Sequence, residues 1–351
     1  MLYVMMGDIK VAQYDEDFNI RILREDLAPL YLTNGGSIYN WVSGRAVDFH
    51  RSNSRSLKKK YSLSRNASDY VTAMKMNAVK ITDNFWVKPE YDPRKFEDVR
   101  YKRDDFFSLA LYRDIDCLDK NIVRTPELTN IGAQEKAWKL ENGSWWLYKN
   151  EKPAEIVSEY LTYRLGVALG FDMAEYKIVD KGKFIKTKDF TEGKYNLQHM
   201  NSIVFDHVEN GIEVPDDDLS YNYRVLKELG FGEQYLNICM LDALCENFDR
   251  HTENYGVLTD NKTGKIVKMA PNYDNNNSFF ANYNLSTDRN RAYMRVFLKF
   301  IKDEGITLKV PELDEVEVVK ILDEVYSMTD YKFDKVFLKD FIMNGYKLLV
   351  L

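Results

Sequence analysis

The chain has 351 residues, 45% hydrophobic and 30% charged, with a formal net charge of −6 at pH 7. The length suits two or three domains, and the composition is that of a soluble globular protein. The acidic balance argues against nucleic acid as the main partner, because a dedicated nucleic-acid binder carries a basic excess.

The three cysteines, Cys117, Cys239 and Cys245, are odd in number and unclustered. That pattern excludes a disulfide framework or a Cys-rich zinc module and points to a reducing compartment. Four histidines without an HExxH motif leave no basis for a zinc hydrolase. The apolar run 1–6 is far shorter than the roughly 20 residues of a membrane span, and it lacks a basic leader region. The expectation is a cytoplasmic protein with no membrane association. Charge is uneven along the chain. Residues 41–65 hold Arg45, Arg51, Arg55, Lys58, Lys59, Lys60 and Arg65 against Asp48 alone, a local charge of +6. Such a run is either a solvated face or a contact surface for an acidic partner, phosphates or DNA.

Alternating apolar residues predict strands over 2–6, 10–14 and 19–23, with turn signals at Gly7-Asp8 and 15–17. Asn34-Gly35-Gly36-Ser37 reads as a turn. Tyr70, Met74 and Met76 predict a helix over 66–79, with Asn66 or Ser68 as N-cap. Residues 83–121 show little periodicity. From Thr125-Pro126 the pattern changes. Strands are expected over 137–140 and 144–149 around the turn Glu141-Asn142-Gly143. A helix over 153–169 follows, with Pro153 in its first turn and Gly170 as its stop. Strands over 174–179 and 184–187 come next. Beyond residue 191 the chain becomes helical. A short helix is expected over 223–229, and the segment 234–248, apolar nearly all round, predicts a central buried helix. A hairpin over 255–259 and 265–269 precedes amphipathic helices over 291–303, 312–328 and 333–350. No internal repeat is visible.

The segment Asn247-Phe248-Asp249-Arg250-His251-Thr252-Glu253-Asn254 sits where the buried helix should end and the hairpin begin. Asn272-Tyr273-Asp274 follows the hairpin. A base, a metal-binding amide five positions later and a second acid beyond a hairpin form the kinase catalytic arrangement. Asp249 would orient the attacking hydroxyl or accept its proton. Asn254 and Asp274 would hold magnesium, a hard cation that prefers oxygen ligands. The hairpin would fold the later acid back beside the earlier loop. The bland alternative makes Asp249 a helix-ending residue and Asp274 a turn residue beside Asn275-Asn276-Asn277.

This segment resembles the HipA-like serine/threonine kinases of bacteria, whose catalytic loop reads Asp-x-His-x-x-Asn and whose metal acid lies in a Tyr-Asp pair. The Asp-Arg-His-x-x-Asn form also looks like the phosphatidylinositol kinases. Ile131-Gly132-Ala133-Gln134-Glu135-Lys136 is similar to the phosphate-contacting loop of the HipA family and favours that family. The resemblance covers about 125–290. It implies ATP and Mg2+ as cofactors, with Gly132, Ala133 and Gln134 against the phosphates, where small residues let backbone N–H groups approach closely. Lys149 is then the nucleotide lysine and Glu159 its helix-borne partner, with Glu155 one turn earlier as the alternative. The adenine would bond backbone near Lys188, although Lys188-Asp189-Phe190 departs from the Glu-Arg-Phe-Asp type often found there. His251 and Tyr273 would line the nucleotide site. Family members can phosphorylate themselves on a serine three residues before the loop glycine, and Thr129 occupies that position.

The resemblance further implies a protein substrate with a Ser or Thr acceptor and, as in many relatives, a small antitoxin partner. The expected fold is α+β and two-lobed, protein-kinase-like. An accessory α/β region (1–120) precedes a small antiparallel β lobe with one helix (121–190) and a mainly helical lobe (191–351). A lipid or small-molecule kinase, or a degenerate kinase serving as a binding module, are the alternatives.

Overall fold

The structure, a computed structural model, describes residues 1–48, 50–51, 53–112, 124–132, 134–204, 208–209, 212–213, 218–279 and 291–351. Ala133 of the expected phosphate loop lies outside the described residues. The architecture is mixed α+β, and antiparallel pairing joins Leu2–Met6 to Ile9–Tyr14 and to Phe85–Pro89, Ile9–Tyr14 to Ile20–Ile22, Glu135–Glu141 to Ser144–Asn150, and Gly256–Asp260 to Tyr195–His199 and to Ile266–Met269. Two compact units interleave along the chain. The first comprises Met1–Asn150, Thr187–Phe205 and Gly256–Ala270, and the second Glu151–Lys186, Asp206–Tyr255 and Pro271–Leu351. This division differs from the three continuous regions expected from sequence. The helix Pro153–Ala168 falls in the second unit, and the strands Tyr195–His199, Gly256–Asp260 and Ile266–Met269 fall in the first.

In the first unit, strands run in the order Ile20–Ile22, Ile9–Tyr14, Leu2–Met6 and Phe85–Pro89. The first three lie where alternation placed them. Phe85–Pro89 was not expected, because Phe85, Trp86 and Val87 are consecutive apolar residues and all are buried. The sheet is covered on both faces: Val4, Met6, Phe85 and Val87 join one core cluster, and Tyr3, Met5 and Trp86 join another. A strand buried on both faces reads as an apolar run rather than an alternation.

The helix expected over 66–79 is shorter, Asp69–Met74. Ser68 caps it by accepting from the Val71 N–H at 3.3 Å. It stops because Asn77 and Ala78 take φ of 57° and 54°, and the buried Asn77 amide donates to the Val87 carbonyl at 3.0 Å. The turn Asn142-Gly143, with φ of 50° and 80°, has the positive angles of a two-residue hairpin loop joining Glu135–Glu141 to Ser144–Asn150. Gly256 opens the hairpin that follows the expected catalytic loop. A Cβ there would stand 2.2 Å from the Gln198 carbonyl, so only glycine lets these strands pair.

The basic run 41–65 is neither wholly a solvated face nor wholly a contact surface. Arg45 is buried against Asp83 at 2.6 Å and also donates to the Ala78 carbonyl at 2.6 Å. Lys58, in the short helix Ser54–Lys60, is buried and donates to the Ala67 carbonyl at 3.0 Å. Arg51 is buried as well. Arg55, Lys59 and Arg65 stay exposed and, with Leu63, line an open cavity of about 300 Å³.

In the second unit, Pro153 begins the helix Pro153–Ala168, and the Glu155 carboxylate caps it by accepting from the Lys152 N–H at 2.9 Å. The helix Gly232–Cys245 is buried nearly all round, as its composition required. It ends at Glu246, whose φ of 53° is left-handed. Helices Ala292–Asp303, Glu315–Met328 and Lys335–Val350 complete the unit, the last two capped by Asp314 and Asp334. Strand Phe184–Lys188 crosses the division between units. Among the described residues no helix is long and apolar enough to cross a membrane.

Candidate active site

Asp242 stands in the last turns of the helix Gly232–Cys245, amid Leu241, Ala243 and Leu244, and is fully buried. A buried carboxylate needs compensation, and Arg250 supplies it. The Arg250 Nε and Nη2 donate to the two Asp242 oxygens at 2.8 and 2.9 Å, while the Asn247 amide adds a bond at 2.9 Å. Arg250 Nη1 donates to the carbonyls of Asn254 and Tyr273, both at 2.8 Å. Its Nη2 also reaches the side-chain oxygens of Asn272 and Asn275 at 3.1 and 2.5 Å. Burial works to lower the Arg250 pKa, but the Asp242 charge and its hydrogen bonds outweigh that and hold it above the ordinary value. One guanidinium thus joins the helix end, the loop 247–254 and the loop 272–275.

The hairpin between these loops departs from the second unit after Tyr255 and returns at Pro271. It brings the expected acid back, as sequence reasoning required. Asp249 is exposed, and its Oδ2 accepts from the Asn277 amide at 2.7 Å. Asn254 is buried, and its amide nitrogen donates to the Asp249 carbonyl at 2.8 Å, which leaves the amide oxygen as the atom that could hold a cation. His251 Nδ1 accepts from the Glu253 N–H at 3.3 Å, so Nε2 is its remaining polar atom. The Tyr273 hydroxyl donates to the Glu253 carbonyl at 3.1 Å. Burial, followed by the neighbouring Asp274 charge, pushes the Tyr273 pKa up.

Asp274 itself adopts a left-handed φ of 60°. Anchors on both sides hold it there. Its N–H donates to the Tyr176 hydroxyl at 3.0 Å, and the next N–H, of Asn275, donates to Glu159 Oε1 at 3.0 Å. One carboxylate oxygen from each of Glu151, Glu159 and Asp274 lies within 4.8 Å of the other two. An all-carboxylate group of this kind fits a hard divalent cation and not a soft one. Sequence reasoning named Asp274 and Glu159 but missed Glu151, which also accepts from the Asn276 amide at 3.0 Å. Glu155, the alternative to Glu159, is the helix cap instead.

The remaining expected residues belong to the first unit. Arg51 shapes the loop 130–136 by donating to the carbonyls of Asn130, Gly132 and Lys136 at 2.6, 3.2 and 3.4 Å. Gly132 has φ of 104°, which a side chain would strain. Gln134 is exposed. Burial pulls the Arg51 pKa down to about 10 against the opposing fields of Glu127, Asp48 and Glu135. Beneath the loop, buried Glu127 accepts from the Trp138 N–H at 2.9 Å and the Asn130 amide at 3.3 Å, and burial pushes its pKa up to about 7. Thr129 is buried, its hydroxyl 3.1 Å from the Tyr101 hydroxyl and 3.2 Å from the Pro126 carbonyl. Lys149 is buried on the strand Ser144–Asn150. Lys188 is half-buried beside Asp189, whose N–H donates to the Trp145 carbonyl at 2.9 Å. Lys149 and Glu159 belong to different units, so their pairing stays an expectation.

Among curated proteins no relative matches. The chain is similar to a solved structure of the Shewanella oneidensis MR-1 toxin–antitoxin system HipA, HipB and its operator DNA, at 13% identity and TM-score 0.57, covering 100% of this chain and 96% of that one. It is also similar to the Helicobacter pylori proinflammatory kinase CtkA, at 18% identity and TM-score 0.41, covering 61% of this chain and 91% of that one. The model of the HipA-like C-terminal domain matches residues 129–331, a span that opens at Thr129 and takes in both loops tied by Arg250. With more than half of its length matched in this way, the chain belongs to the HipA-like family.

Proposed function

We propose that this chain is an ATP- and Mg2+-dependent serine/threonine protein kinase of HipA-like type, with the two-lobed fold of such kinases. The observation that carries the reading is the shared framework of Asp249, Asn254 and Asp274: Arg250 binds the carbonyls of Asn254 and Tyr273 together. The acceptor hydroxyl oxygen attacks the γ-phosphorus, and the bond to the β–γ bridging oxygen breaks. ADP departs with that oxygen, and the hydroxyl proton passes to Asp249. Asn277 holds one Asp249 oxygen and so aims the other. When bound, Mg2+ neutralises charge on the phosphates. Asp274 would hold it with Asn254, supported by Glu151 and Glu159. Gly132, Ala133 and Gln134 would contact phosphate, with Lys149 beside it and the adenine near Lys188. His251 and Tyr273 would flank the nucleotide.

The proposed setting is the cytoplasm, with a protein substrate and a small antitoxin as partner. Phosphate on Thr129 would add about −1.5 to −2 charge beneath the loop and oppose nucleotide binding. The buried Thr129 hydroxyl must first leave Tyr101 to be modified. A Thr129→Asp enzyme with full ATP affinity would remove this element of the proposal.

The Asp249-Arg250-His251 form favours one second reading, a lipid kinase. Incubating the chain with γ-labelled ATP and Mg2+, in host extract and separately with phosphoinositide vesicles, distinguishes them. Label on protein Ser or Thr is expected. Label confined to lipid supports the second reading, and no label in either supports a binding module.

A further inference from the structure

We infer that the buried Arg250–Asp242 pair is a positioning device that sets the cation site before any ligand arrives. The inference rests on the proposed kinase reading and concerns residues that do not touch substrate. Arg250 holds the main-chain carbonyl of Asn254, one expected ligand residue, and that of Tyr273, immediately before Asp274, the other. Both bonds come from the same nitrogen, so the spacing between the two loops is fixed by one planar group. Asn272 and Asn275 bracket Tyr273 and Asp274 in sequence and offer their side-chain oxygens to the other terminal nitrogen. Asp242 in turn fixes the plane of the guanidinium with two bonds from a helix with no freedom to shift, since Leu241, Ala243 and Leu244 around it are fully buried.

The chemistry demands arginine. Every N–H group of the guanidinium faces an acceptor, and the bonds are directed in a fork that a lysine ammonium cannot reproduce. A generic buried ion pair would need only charge and shape. Here two of the acceptors are the carbonyl of Asn254, an expected ligand residue, and that of Tyr273, which joins directly to Asp274, the other. Asp274 is left-handed at φ 60°, a conformation that persists only when surroundings impose it. The Tyr273 carbonyl bond to Arg250, the Asp274 N–H bond to Tyr176 and the Asn275 N–H bond to Glu159 impose it from three directions. Removing the fork releases one of these three while leaving every expected ligand residue unsubstituted.

The test is Mn2+ binding to the nucleotide-free chain, followed by paramagnetic resonance, with thermal unfolding measured in parallel. The variants are Arg250→Lys, Asn272→Ala and Asp274→Asn, compared with the parent well below each unfolding midpoint. Second-sphere losses of this kind cost 10- to 100-fold in metal affinity. Arg250→Lys is therefore expected to weaken Mn2+ at least 10-fold. Asn272→Ala, which keeps the charge pair and removes one fork acceptor, is expected to weaken it about 2- to 5-fold. Parent-like Mn2+ affinity in a folded Arg250→Lys variant overturns the inference while leaving the kinase reading intact. Should Arg250→Lys not fold, parent-like affinity in Asn272→Ala overturns it. No Mn2+ binding by the parent, or undiminished binding in Asp274→Asn, overturns the reading of the cation site itself and the inference with it.

Discussion

Arg51 and Arg250 are both buried, and both donate to the main-chain carbonyls of a loop that sequence reasoning marked as functional. Of these two, only Arg250 has a carboxylate hydrogen-bonded against it among the described residues. The consequence is visible in the charges: Asp242 holds the Arg250 pKa above its usual value, whereas burial takes Arg51 down to about 10. A paired guanidinium is a strut whose removal exposes an opposite buried charge. One held by carbonyl dipoles and distant acids is released at lower cost. The loop 247–254 is thus built to keep its shape, and the loop 130–136 to be held more lightly.

The sharpest way to break the comparison is Asp242→Leu. It strands Arg250 in the interior, and removing one partner of a buried pair costs about 3–5 kcal/mol. Urea unfolding should show that loss, and a loss below about 1 kcal/mol would mean the pair is not the strut described.

Glu127 probes the lighter loop by pH. Its folded pKa of about 7 lies above the ordinary value of 4.5. The associated stability is therefore fully present below about 4.5 and is lost as pH rises through about 7. The loss is up to about 3 kcal/mol at 1.36 kcal/mol per unit. Glu127→Gln should flatten the fall in thermal midpoint between pH 5 and pH 8. An unchanged slope would assign that fall elsewhere. Asp189, raised to about 6 by burial, keeps a smaller slope in the variant.

Arg51→Leu should show the smallest stability effect. It leaves three carbonyls short of a donor but removes the desolvation of an unpaired cation, so the net cost is about 1–2 kcal/mol. Its larger effect should appear as weakened ATP binding by calorimetry. A stability loss as large as that of Asp242→Leu would erase the distinction between the two loops.

Much of this was legible in the sequence. The strands Leu2–Met6 and Ile9–Tyr14, the buried helix Gly232–Cys245 and the helix start at Pro153 follow from periodicity and terminal residues. Asp249, Asn254 and Asp274 were visible as a spaced pattern, because loop chemistry is local in sequence. What periodicity could not show is pairing across long separations. Phe85–Pro89 hid because both sheet faces are covered, and Glu151 because its companions lie on a helix and beyond a hairpin. The basic run misled for a related reason: composition counts charges but does not show that Arg45, Arg51 and Lys58 turn inward. One signal was present and unread. Asp242, lone and acidic amid Leu241, Ala243 and Leu244, called for a buried cation, and Arg250 stands eight residues on.

The loops joined by Arg250 are proposed to form a phosphoryl-transfer centre. Transfer of label from γ-labelled ATP should be compared for the parent and Asp249→Asn, with Mg2+ and with chelator. Asp249 is exposed, so the substitution leaves the fold intact. The account predicts Mg2+-dependent transfer by the parent and a fall of about 10²- to 10⁴-fold in the variant, the contribution of a positioned base. Equal transfer by both proteins would contradict it.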